Sequence, residues 1–211
     1  IYRNCSIMAP VYKLHYFPVK ALGEPIRFLM SYGNIEFKDN RIELEQWPAL
    51  KPNMPFGQMP VLEFNGNQAH QSVAICRYLA KQVKLAGAND LEDLEIDAVV
   101  DTIIDLRMKI NAFAKEEDAQ NKEKLKKVFL EETHPFYLSR FEALAKSNNG
   151  YLAAGKLTWA DIYFVALLDL MSFRIGKKLT EGCATLLKLE EKVLNLPGIK
   201  EWVANRPVTD V

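Results

Sequence analysis

Tyr16, the Trp47/Lys51 pair, Met59-Pro60 and Gln71-Ser72 are the residues whose types and spacing could do chemistry. Val61-Leu62-Glu63-Phe64 reads as a short apolar strand, Asn65-Gly66 supplies the positive φ values of a tight hairpin, and Gln68-Ala69-His70 pairs back against it. Gln71-Ser72 then opens a helix, with Ser72 a good N-cap residue and Val73, Ile75, Cys76 and Leu79 at helical spacing behind it. A helix start leaves backbone N–H groups unpaired and carries partial positive charge, so this joint can cradle a carboxylate. A proline at position 60, particularly a cis one, turns the chain and leaves the N–H and C=O of Met59 open to a short extended peptide. An ordinary hairpin-to-helix joint accounts for the same residues equally well.

Tyr16 ends a strand read over residues 11–17, and α/β folds place ligands at the C-terminal edge of their strands, so its hydroxyl can point into a cleft. Taken alone, a strand tyrosine is more often core or rim packing. Trp47 and Lys51 stand four apart around Pro48, and a helical turn sets them on one face aimed at a carboxylate. The plainer account is surface packing with a solvated lysine. His15, His70 and His134 have no metal-ligand spacing, and no metal site is expected.

The elements that must position these groups begin with that first strand, a loop over 19–23, and a helix from Glu24 to Tyr32 with Pro25 near its start. A second strand over 37–42 makes a β-α-β unit, so the pair should be parallel with a right-handed crossover. The hairpin and the Ser72 helix complete a thioredoxin-like βαβ-ββα order. A redox thioredoxin needs a C-x-x-C at the end of the first strand, whereas this chain has Tyr16-Phe17-Pro18-Val19, so its own thiols do not do the work.

The polar, glycine-bearing stretch over 85–90 reads as a linker. Beyond it the pattern is helical: a long helix from Leu91 to Lys115, a charged run over 116–127 taken as a solvated turn and helix face, and a helix over 129–147 kinked or entered afresh at Pro135. Thr158 and Asp161 have capping-box spacing ahead of a helix apolar nearly all round, and two last helices cover about 183–194 and 197–204. The expected fold class is α+β with two domains, a thioredoxin-like one over 8–84 and an all-α one over 91–211. Residues 1–7 read as an N-terminal extension ahead of an initiator at Met8.

At 211 residues and 49% hydrophobic content the chain can bury a sizeable core. Lys+Arg and Asp+Glu are equal at 27 each, so no net field favours nucleic acid or an anionic membrane. Cys5, Cys76 and Cys183 are an odd number at unrelated spacings, which argues against a disulfide framework or a zinc site and fits a reducing, cytosolic compartment. No run reaches the roughly 18 apolar residues of a membrane span, and the N-terminus lacks a signal-peptide h-region.

Ordered motifs from about Ala9 to Val211 carry a resemblance: Y-K-L-H-Y-F, G-E-P-I-R-F, Q-W-P-x-L-K, M-P-V-L, Q-S-V-A-I-C-R-Y-L, G-Y-L-A-A-G-K-L-T-W-A-D and the terminal R-P-V-T-D-V. Together they resemble the cytosolic glutathione transferases, most closely the sigma class and its insect members, a cockroach allergen among them. The resemblance implies a homodimer that uses glutathione as co-substrate, without a resident cofactor, and adds its thiolate to hydrophobic electrophiles such as lipid-peroxidation aldehydes. The resemblance also leaves room for glutathione-dependent peroxidase or prostaglandin isomerase activity in this chain, and a non-catalytic crystallin-like protein of the same fold is the rival reading from another class.

By the resemblance, Tyr16 is the catalytic tyrosine, donating a hydrogen bond to the glutathione sulfur. A thiol of pKa near 8.5 is only about 3% ionised at pH 7, and a drop of about two units makes most of it nucleophilic. Trp47 and Lys51 would hold the glycine end, Met59 beside Pro60 the cysteinyl backbone, and Gln71 and Ser72 the γ-glutamyl end, with Gln58 contributing. Leu22 stands where other sigma members have an arginine, which withdraws electrostatic help from that side. Asp101 and Asp105 share a helix face where local pairing with Arg or Lys would satisfy both. The resemblance implies instead that Asp105 reaches across the dimer to the γ-glutamyl amino group. Phe17, Leu22, Arg107, Met108, Tyr163 and Leu167 would line the second-substrate pocket.

Overall fold

The computed structural model describes residues 11–209, so the expected extension over 1–7, Met8, Cys5 and the last two residues lie outside the described part. Strand β1 (Tyr12–Tyr16) runs parallel to β2 (Phe37–Arg41) through helix α1 (Glu24–Tyr32). The hairpin β3 (Val61–Phe64) and β4 (Asn67–His70) adds antiparallel to β1, giving the order β2-β1-β3-β4. Helices α1 and α3 (Ser72–Gln82) pack together, and Leu14, Ile26, Leu29, Leu62, Ile75 and Leu79 are fully buried. This is the thioredoxin-like βαβ-ββα order. Between β2 and β3 lie a four-residue helix, α2 (Trp47–Leu50), and two 3₁₀ turns, each with a proline in its first turn, where the missing N–H costs nothing.

After α3 the chain is all helical: α4 (Asp90–Ala114), α5 (Ala119–Val128), α6 (His134–Ser147), α7 (Trp159–Ile175), α8 (Ala184–Leu194) and α9 (Pro197–Asn205). The charged run holds a full helix, α5, begun by Asp118, whose side chain accepts from the Asn121 N–H. The bend expected near Pro135 is a π turn over Phe129–Thr133, which lets the helix continue past a residue that cannot donate to the preceding turn. Asp161 closes the capping box, accepting from Thr158 N–H at 2.8 Å and from Leu152 N–H at 2.8 Å. Burial pushes its carboxyl up to about 6 against the pull of these bonds.

The helical layer docks on the sheet layer through α1, which packs against both α7 and α9. Gly198 is required there because a Cβ would collide with the Ser31 carbonyl of α1. No described helix is long and apolar enough to cross a membrane.

Glu142 of α6 accepts from the N–H groups of Thr185 and Leu186, both at 3.0 Å, so one carboxylate fixes the first turn of α8. Burial raises its pKa, but those bonds and Lys146 at 3.2 Å outweigh it and leave the value at about 2. A folded pKa below the unfolded one gives stability that is complete above about 4.5 and is lost as pH falls towards about 2. Glu142→Gln should therefore lower the urea midpoint at neutral pH, with the gap to wild type narrowing as pH falls below about 4.5. A gap independent of pH would show that the charge contributes nothing.

Candidate functional site

The loop leaving β1 folds back as a 3₁₀ turn over Ala21–Gly23, and the Leu22 N–H donates to the Tyr16 hydroxyl at 3.2 Å. The hydroxyl oxygen is thus used as an acceptor while its own proton stays available. Burial raises the Tyr16 pKa, and the Leu22 N–H with the charges of Arg27, Arg107 and Arg174 opposes that without reversing it. Tyr16 is therefore a protonated donor at neutral pH. Its ring is held by Phe17 at 5.8 Å, itself edge-on to Trp47 at 5.5 Å, and by the Arg27 guanidinium 5.8 Å from the ring centroid.

Leu22 also lines a small cavity of about 90 Å³ with Pro55, Gln58, Met59, Pro60, His70, Gln71 and Ser72. Most of the residues singled out for a small anionic peptide thus converge beside Tyr16. The Met59–Pro60 bond is cis, and no hydrogen bond within the described residues uses the N–H or C=O of Met59. Gln71, at φ 69°, occupies the N-cap position of α3 and Ser72 is its first helical residue, which corrects the expectation that Ser72 caps. Among the described residues no side chain caps this helix, so its first-turn N–H groups stand open beside the cavity.

Trp47 and Lys51 do not share one continuous helix, because α2 stops at Leu50 and Lys51 begins the next 3₁₀ turn. Trp47 is half-buried on Phe17, while Lys51 is exposed with its stem beside Gly57, in the turn leading to Gln58.

Of the second group, Phe17 and Leu22 are half-buried next to Tyr16, Arg107 is half-buried, and Met108 is 54% exposed. Tyr163 and Leu167 are fully buried in the helical core and present no wall to a pocket. Helical spacing marks both as apolar-face residues and cannot distinguish a core face from a pocket face. Asp101 and Asp105 are exposed on α4, and neither forms an ion pair within the described residues. Arg27 and Arg174 also act on Tyr16, with Asn111 beside Arg174, and none of the three is among the sequence-based candidates. A charged pair inside an apolar helix, Glu24 and Arg27, was a legible signal for the first; Arg174, which donates to Asn111 across α4 and α7, had none.

A glutathione S-transferase N-terminal domain family model matches residues 10–81, and the C-terminal domain model matches residues 104–206. A glutathione S-transferase of Anopheles gambiae is 53% identical over 202 residues, 96% of this chain and 100% of that protein. Among solved structures, prostaglandin synthase D of Nilaparvata lugens matches with a TM-score of 0.90 at 48% identity, over 94% of this chain and 100% of that one. A sigma class enzyme of Fasciola hepatica matches with a TM-score of 0.85 at 25% identity, over 96% and 99%. The chain belongs to the sigma class of the glutathione S-transferase family. In this glutathione transferase the Tyr16 ring depends on the residue beneath it: a Cβ at Gly23 would fall 2.5 Å from Tyr16 Cδ1, although Gly23 has an ordinary φ of −78°. Gly23→Ala should leave folding intact but displace the hydroxyl and lower kcat by about tenfold to a hundredfold. Unchanged kcat would show that the ring has room to move.

Proposed function

We propose that this glutathione transferase adds the glutathione thiolate to hydrophobic electrophiles, with lipid-peroxidation aldehydes as its main class. The observation that carries this reading is the Tyr16 hydroxyl, which accepts from Leu22 N–H and so keeps a free proton beside the cavity of Gln58, Met59, Gln71 and Ser72. Donation to a sulfur anion is worth about 1.5–3 kcal/mol, or roughly one to two pKa units. The fields of Arg27, Arg107 and Arg174 reach Tyr16 and favour the same anion, which offsets the arginine that Leu22 replaces.

Along the tripeptide, Trp47 and Lys51 take the glycine carboxylate, Met59 pairs the cysteinyl backbone, and the uncapped start of α3 with Gln71 and Ser72 takes the γ-glutamyl end. Addition to an unsaturated aldehyde forms a sulfur–carbon bond at the β carbon. The π pair moves onto the carbonyl oxygen as an enolate, and water returns a proton to the α carbon. Prostaglandin endoperoxide isomerisation is a second activity in this reading, favoured by the likeness to prostaglandin synthase D of Nilaparvata lugens. The free thiols of Cys76 and Cys183 fit a cytosolic setting.

The working form in this reading is a homodimer. Asp105 is exposed on α4 with no ion pair among the described residues, and Phe56, Leu91 and Leu94 leave large apolar side chains uncovered. A carboxylate in that position completes the site by meeting the γ-glutamyl amino group of glutathione held by the partner.

Tyr16→Phe should lower kcat at pH 6.5 by about tenfold or more and raise the bound thiol's pKa by about one to two units, with little change in glutathione affinity. Thiolate absorbance and steady-state kinetics check this, and unchanged turnover would sink the role of Tyr16. Asp105→Asn should weaken glutathione binding by roughly tenfold, and activity per subunit should fall on dilution. Calorimetry alongside sedimentation tests it; a fully active monomer would mean the site is complete in one chain.

A further inference from the structure

Helices α4 and α7 pack on each other and bring Arg107, Met108 and Asn111 from one, and Arg174 from the other, to the Tyr16 side of the helical layer. Their electrostatic state is unlike that of the other arginines around the core. Arg27, Arg41, Arg77 and Arg206 each pair with a carboxylate, whereas neither Arg107 nor Arg174 has one among the described residues. Among the described residues Arg107 Nε is buried with no hydrogen-bond partner, and its Nη2 meets only the Met108 thioether at 3.7 Å, a weak acceptor. Arg174 donates to the neutral amide oxygen of Asn111. The two guanidinium groups also repel one another, and burial with that repulsion loosens the hold of Arg174 on its proton.

Two partly desolvated cations without a counter-ion are costly to maintain. The anions of glutathione do not account for both. Its carboxylates are assigned above to Lys51 and to the start of α3, and its sulfur carries a single charge, which Tyr16 meets by donating and which two cations acting from a distance exceed. From the placement of these two guanidinium groups beside Tyr16, with one buried N–H unpaired, we infer that Arg107 and Arg174 hold the carboxylate of the second substrate. The enzyme then favours lipophilic electrophiles that end in an acid over neutral ones of the same length. The inference rests on the transferase reading above and names the substrate class within it. The carboxylate is a handle only: the sulfur–carbon bond still forms at the electrophilic carbon, and the acid end leaves unchanged.

The test uses the full-length enzyme saturated with glutathione and two matched substrate pairs. One pair is medium-chain 2-alkenals of equal length ending in methyl or in carboxylate; the other is a chlorodinitrobenzene with and without a ring carboxylate. The readout is the ratio of kcat/KM for the acid over its neutral partner. Wild type should favour the acid, the preference should weaken with added salt, and Arg174→Gln and Arg107→Gln should each lower the ratio by about tenfold. Calorimetric binding of glutathione establishes that each variant is folded and loaded. A wild-type ratio at or below unity, or a ratio unchanged in both variants because both rates fall together, overturns the inference and assigns the arginines to the thiolate. Failure on the alkenals with turnover of the arenes would strike only the aldehyde reading, since the arene pair still measures the ratio.

Discussion

The site depends on an ion pair with no access to water, Glu24 with Arg27, both on α1 and both fully buried. Such a pair is tolerable only when most of its remaining hydrogen-bonding capacity is met, and here Arg27 Nη2 is left without a partner among the described residues while the rest is satisfied. Glu24 accepts from Arg27 at 3.1 Å, from Trp202 Nε1 at 2.8 Å and from Arg206 at 2.6 Å. Arg27 donates to Asp39 at 3.1 Å and to the Val19 carbonyl at 2.8 Å. One cluster thereby ties β2, the loop after β1, α1 and the segment following α9. Removing one member would strand a charge in the interior at a cost of about 3–5 kcal/mol, far more than any surface pair of this chain could recover.

What the cluster positions is the loop between Tyr16 and Gly23. Arg27 grips the carbonyls of Val19 and Lys20, and that grip sets the turn from which Leu22 N–H reaches the Tyr16 hydroxyl. Lys20 is then held to Asp169 of α7 at 2.9 Å, and Arg206 meets the same carboxylate at 3.2 Å. The loop after Tyr16 is therefore clamped by both layers, and the orientation of the Tyr16 hydroxyl is a property of how they dock. The sheet domain supplies every residue of the small cavity, yet it does not by itself fix the surroundings of Tyr16. The positive field at Tyr16 comes from α1, α4 and α7 together.

Local physics made much of this legible in the chain itself. The βαβ-ββα order, the hairpin at Asn65-Gly66, the helix beginning at Glu24 and the Thr158/Asp161 capping box each follow from a few neighbouring residues, and the structure has them where the pattern put them. Five residues of the small cavity, Gln58, Met59, Pro60, Gln71 and Ser72, were legible as well, because they lie in a single short stretch whose hairpin brings its ends together; Leu22 reaches the cavity from the loop after β1, which no local pattern announces.

Tertiary structure decided what depends on which faces meet. Helix α7 is apolar on every side, so its pattern could not say whether Tyr163 and Leu167 look into a pocket or into the core; packing against α1, α4 and α8 buries both. Periodicity likewise gave no hint that Arg174, at the far end of that helix, stands with Arg107 near Tyr16, since proximity between positions more than sixty residues apart in sequence exists only after α4 and α7 dock. By itself the sequence determined the family, the order of elements and the local cradle for a small anionic peptide, all of which rest on short-range spacing. The burial of Glu24 and Arg27, the clamp on the Tyr16 loop and the unpaired cations beside it are long-range effects, because a charge acquires its environment only when the layers close around it.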